Sequence, residues 1–129
     1  MTNALKIETF PYFFAIAKIR NPASINWKSP FVFVGKTDDE LSLVALESDV
    51  PSDAYPVDRG YRMMRVAGTL DMSLTGILAR ISKVLADEEI PIFAVSTYNT
   101  DYILVKSHTV KNAVQALSRA GYLVTNEIS

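Results

Sequence analysis

Gly68-Thr69-Leu70-Asp71-Met72-Ser73-Leu74-Thr75-Gly76-Ile77 reads as the handover from a strand to a helix. Ser96-Thr97-Tyr98-Asn99-Thr100-Asp101-Tyr102-Ile103-Leu104-Val105 reads as one strand turning into the next. Around these two stretches the pattern is regular. Tyr61 to Ala67 forms a strand, with Arg62 and Arg65 beside apolar positions. Apolar residues then recur at Leu74, Ile77, Leu78, Ile81, Val84 and Leu85, the spacing of a helix with one buried stripe. Asp71 or Ser73 is expected to cap its start, and Pro91 stops it beyond Ile90. Ile92–Ser96 and Tyr102–Val105 are strands on either side of a turn. A second helix is expected from about Thr109, with Val110, Ala113, Val114, Leu117 and Ala120 on one face and Gly121 as its stop. Leu123 to Ile128 closes as a strand. The order β-α-β-β-α-β is the split βαβ, ferredoxin-like plan, in which both helices cover one face of an antiparallel sheet.

Upstream the chain is strand-rich. Leu5-Lys6-Ile7-Glu8 alternates apolar and charged residues, and Tyr12 to Ile19 is a second, apolar strand. Phe31-Val32-Phe33-Val34 and Leu41 to Leu46 form a hairpin through Gly35–Glu40. The carboxylates of Asp38, Asp39 and Glu40 are read as its solvated tip rather than a metal site, because consecutive turn residues cannot all face one ion. Trp27, the sole tryptophan, is read as a lid over the core. Between Ser48 and Gly60 the composition shifts to proline, aspartate and glycine, which marks a boundary. Two domains are expected: a strand-rich unit at 1–60 and a βαββαβ unit at 61–129, an α+β chain overall. The first unit is either a reduced relative of the second or a set of strands extending its sheet.

The totals fit a globular chain of 129 residues, 49% hydrophobic and 21% charged. A net charge of −1 supplies no field for a nucleic-acid backbone. The absence of cysteine removes disulfides, thiolate catalysis and zinc–sulfur sites. The most apolar run, Phe10 to Ile19, falls short of the ~20 residues of a membrane helix. Ala15-Ile16-Ala17 resembles a signal-cleavage site, but Glu8 stands where a positive leader belongs, so a cytoplasmic location is expected.

Function is read at the two opening stretches. A helix start offers unpaired N–H groups and a positive dipole end to a carboxylate. Glycine at position 76, in the first helical turn, lowers helix propensity by about 1 kcal/mol relative to alanine. It admits either a ligand or a closely packed strand. Ser96–Asp101 is more polar and longer than a tight hairpin requires. Asp101 suits an ammonium or guanidinium partner, or else bonds its own turn. His108 stands away from these residues as a surface or capping group. No nucleophile motif, phosphate loop or metal spacing is present, so an enzyme is not expected.

Gly68-x-Leu70-Asp71-x-Ser73-x-Thr75-Gly76-Ile77, followed by Ile92-x-x-x-Ser96-Thr97-Tyr98-x-Thr100-Asp101-Tyr102-Ile103-Leu104-Val105, resembles the ACT domain. The nearest likeness is to small bacterial paired-ACT proteins related to the CASTOR arginine sensors and to aspartate kinase regulatory ends. Phe31–Val34 with Thr37–Val44 resembles their degenerate first unit, although it lacks a clear first helix. The resemblance implies an amino-acid-binding regulatory protein whose ligand lies at an interface between ACT units. The implied ligand-binding residues are Asp71, Met72, Ser73, Leu74, Thr75, Gly76 and Ile77, with Ser96, Thr97, Tyr98, Asn99, Thr100 and Asp101. Backbone groups of Ser73–Ile77 would take the α-carboxylate, and the second group the amine or side chain. A homodimer is expected, with no cofactor, metal, nucleic acid or membrane; any effector would be a separate protein, or none exists. The alternative is an assembly module without a ligand, since exposed sheet edges invite pairing.

Overall fold

The computed structural model describes residues 5–67 and 76–125. Its strands and helices run β1 (Lys6–Thr9), β2 (Phe14–Lys18), β3 (Val32–Lys36), β4 (Leu41–Leu46), β5 (Val57–Val66), α1 (Ile77–Asp87), β6 (Phe93–Ser96), β7 (Asp101–Lys106), α2 (Val110–Arg119) and β8 (Leu123–Thr125). The chain is α+β and divides into two compact units, Tyr12–Tyr61 and Met1–Pro11 with Arg62–Ser129. This division differs from the expected 1–60 and 61–129, because the first eleven residues group with the downstream unit.

In that unit β1 pairs antiparallel with β5, with Glu8 opposite Arg65, and parallel with β8, with Ile7 opposite Val124. β5 also pairs with β7, and β7 pairs antiparallel with β6. The first strand of the chain therefore lies between β5 and β8, where the ferredoxin-like plan read from the sequence has no strand. Alternation along each strand sorts its residues by face. Ile7, Met64, Val66, Ile103 and Val105 meet Ile77, Ile81 and Leu85 of α1 and Val110, Ala113 and Leu117 of α2 in one buried cluster. Thr9 is also buried, and its hydroxyl donates to the Thr125 carbonyl at 2.7 Å, tying β1 to β8 a second time.

The two helices end alike, and α2 begins where expected while α1 does not. Gly121 follows α2 with φ of 102°. Its N–H bonds the Ser118 carbonyl, and the Tyr122 N–H bonds Leu117. This is a Schellman stop, whose left-handed residue is usually glycine. At the end of α1 the Glu89 N–H bonds Ala86 and the Ile90 N–H bonds Leu85, the same motif. Here a glutamate holds the left-handed position, at φ of 59°. α1 is described from Ile77, and the expected capping residues Asp71 and Ser73 lie outside the described residues. Gly76 is the N-cap, in the left-handed region at φ of 74° and ψ of 12°, and among the described residues no side chain caps the helix. That backbone, rather than a tight first turn, accounts for the glycine. A Cβ there would meet nothing closer than an Arg80 nitrogen at 3.5 Å.

The Tyr12–Tyr61 unit is made of β2, β3, β4 and the first half of β5. β2 and β3 both pair antiparallel with β4, so the expected hairpin is present. β5 begins at Val57, inside the stretch whose composition marks a boundary. It pairs with β2 through a register shift between Phe14 and Ile16. The Gly60 N–H is satisfied there by Glu47 Oε2 at 2.7 Å. Ile19, Ile25, Leu43 and Ala45 form the small core, and Phe31 meets Phe14 edge-on at 5.8 Å. Trp27 is 67% exposed, so it is not the expected lid over this core. Its neighbours Asn26 and Lys28 are exposed as well, as residues between two proline breaks need not pack.

Replacing Glu89 by glycine removes the cost of a left-handed non-glycine residue. The expected gain is about 1 kcal/mol, seen as a melting temperature a few degrees higher. An unchanged or lower melting temperature would contradict it. Tyr61 is pushed up to about 12 by burial, by its 2.7 Å hydrogen bond to Asp58 and by the charge of that carboxylate. Its folded value exceeds the unfolded value of about 10. Its contribution to stability is therefore full below about pH 10 and is lost as pH rises to about 12. Ultraviolet titration should show the late Tyr61 phenol, which moves toward the ordinary range in Asp58→Asn.

Candidate functional site

The β6–β7 hairpin organises the described part of the expected site. Ser96 and Asp101 are strand partners, which leaves only residues 97–100 as the turn. The Thr97 N–H bonds the Thr100 carbonyl at 2.9 Å, and the Thr97 hydroxyl donates to the same oxygen at 3.0 Å. The Ser96 hydroxyl donates to Asp101 Oδ1 at 2.6 Å. Asp101 thus holds its own hairpin, and the turn is shorter than its polar run suggests. Tyr98 is 99% exposed at the tip. Thr100 points the other way: it is buried, and its hydroxyl donates to the Val66 carbonyl at 2.7 Å, anchoring the hairpin to β5.

Of the expected helix-start residues, Asp71, Met72, Ser73, Leu74 and Thr75 lie outside the described residues. Gly76 is exposed at the N-cap, and the Ile77 side chain belongs to the core. The N–H groups of the first turn begin at Ile77, not at the residues expected to cap the helix.

On the sheet surface away from the helices, a recess of about 310 Å³ is lined by Glu8, Arg65, Val66, Asn99, Thr100 and Tyr102. The hairpin supplies two of these, Asn99 and Thr100. The others come from β1, β5 and β7. Arg65 Nε meets Glu8 Oε1 at 2.8 Å, each side chain about one-third exposed (31% and 32%). The guanidinium carbon lies 4.9 Å from the Phe10 ring centroid and 5.9 Å from that of Tyr102. Burial alone would lower the Arg65 pKa, but hydrogen bonds with Tyr102 and Glu8 and their charges raise it overall. It is a permanent cation. Nearby, Arg62 Nη2 donates to the Phe10 carbonyl at 2.9 Å, and burial pulls its pKa down.

Glu8, Arg65 and Tyr102 are absent from the residues expected from sequence. Part of the signal was there, since alternation sets Glu8 opposite Ile7 and Arg65 opposite Met64 and Val66. The missing piece was the pairing of β1 with β5, which no local pattern announces. Among the described residues no group of three or more His, Asp or Glu could hold a metal, and no helix is long and apolar enough to cross a membrane.

Thr100→Val keeps the shape of the side chain and deletes its donor, leaving the Val66 carbonyl without that bond. Urea unfolding should show a loss of about 1–3 kcal/mol. Unchanged stability would show that the hairpin is not held by this bond.

Residues 57–119 match the ACT domain. No curated protein matches the chain. Among solved structures, protein Atu0741 from Agobacterium tumefaciens is 30% identical with a TM-score of 0.87, over 99% of this chain and 97% of that one. The ligand-free regulatory subunit of aspartate kinase from Thermus thermophilus is 10% identical with a TM-score of 0.61, over 88% and 95% of the two chains. Clostridium acetobutylicum aspartate kinase is 14% identical with a TM-score of 0.67, over 89% of this chain and 34% of that enzyme. At those identities the two kinase structures share the fold. With 30% identity across nearly its whole length, the chain belongs to the same family as Atu0741, and its residues 57–119 are similar to the ACT domain.

Proposed function

We propose that this protein is a non-catalytic amino-acid sensor, acting in the cytoplasm as a homodimer on a separate effector protein. The ACT-domain match at 57–119 carries the reading. Structures named as regulatory subunits and domains of aspartate kinases support it at the level of fold. The kinship with the CASTOR arginine sensors read from the sequence belongs to this proposal as well. The ligand is expected where the ACT units of two chains meet. Its contacts would come from Asp71–Ile77 and Ser96–Asp101, of which Asn99 and Thr100 line the recess.

A second reading, assembly without a ligand, is favoured by β6, whose Phe93 and Ala94 are exposed. Dimer formation is common to both readings and does not separate them. A thermal-melt screen against each common amino acid does. A ligand at 100 times its dissociation constant adds about 2.7 kcal/mol to the folded state. For a chain of this size that raises the melting temperature by several degrees. The expected result is a shift with one or a few amino acids; no shift at millimolar concentration would leave the assembly reading.

A further inference from the structure

We infer that the recess beside the Glu8–Arg65 pair binds the zwitterionic head of a free α-amino acid, with its carboxylate on Arg65 and its ammonium on Glu8. The inference rests on the sensor reading and locates the head group within it. It also moves the head group from the helix start implied by family resemblance to the sheet surface.

Four observations lead there. The volume of about 310 Å³ is at the small end of ligand pockets, suited to an amino acid and too small for a dinucleotide. The charged lining is one cation and one anion, so the recess is neutral overall and fits a neutral zwitterion better than a net anion or cation. Arg65 commits Nε to Glu8, hydrogen-bonds Tyr102 and lies close to the Phe10 and Tyr102 rings. A planar guanidinium positioned in that way keeps a defined fork for a carboxylate. Glu8 meets Arg65 through Oε1 and brings its carboxylate to the lining of the recess.

The pair also contributes little to the fold. Ion pairs this exposed are worth about 0–1 kcal/mol, and packing of Ile7, Met64 and Val66 on the opposite face holds the strands together. Asn99 adds a neutral hydrogen-bonding group at the rim, where a ligand side chain would lie.

The test is titration calorimetry on the full chain with each common L-amino acid, its N-acetyl derivative and its carboxamide. Four proteins are compared: wild type, Arg65→Gln, Glu8→Gln and the double variant Glu8→Gln/Arg65→Gln. At least one amino acid should bind wild type. Blocking either end of it, or making either single substitution, should weaken binding about tenfold or more. The double variant leaves no unpaired charge. It should melt like wild type and still fail to bind, which separates lost binding from lost folding. Binding by wild type that survives in the variants would overturn the recess assignment and leave the sensor reading intact. Wild type that binds no amino acid would overturn both.

Discussion

The backbone ladder of β1 is the constraint on which the downstream unit depends. Lys6–Thr9 bonds β5 on one side and β8 on the other. Four residues therefore carry two ladders, and three of them also have a side-chain task. Ile7 enters the core beneath both helices, Glu8 meets Arg65 on the opposite surface, and Thr9 closes onto Thr125. Alternation makes this division of labour compulsory: a one-residue slip would bury Glu8 and expose Ile7. Core and recess are set by the same register.

Much of this architecture was legible in the sequence. α2 declared itself through Val110, Ala113 and Leu117, and Gly121 marked its end, because amphipathic spacing and a left-handed stop are both local signals. α1 was legible along its buried stripe but not at its start. Asp71 and Ser73 are good capping residues, yet the left-handed backbone of Gly76 sets the N-cap. The stop at Glu89 had no glycine to announce it. Trp27 was misplaced because a large aromatic is usually buried, a preference that a loop between proline breaks does not have to satisfy.

The candidate site was half legible. The polar run Ser96–Asp101 pointed to the hairpin, and Asn99 and Thr100 do line the recess. Ser96 and Asp101 instead spend their polar groups on one another. A composition reading cannot tell a polar residue that closes a turn from one that faces a ligand. Glu8 and Arg65 were out of reach for another reason. They lie 57 positions apart, and only the pairing of β1 with β5 brings them together.

That pairing also governs the order in which the chain can acquire its structure during synthesis. β1 leaves the ribosome first among the described strands and β8 last, with the Thr9 and Thr125 partners separated by 116 positions. The Tyr12–Tyr61 unit is continuous, and it is complete in sequence before α1 has been made. The earliest strand must then wait, with its ladder groups unsatisfied, for partners still to be translated. Closing so long a loop is entropically costly and slow compared with local pairing. An intervening hairpin-based unit that folds early would shorten the effective loop between Pro11 and Arg62.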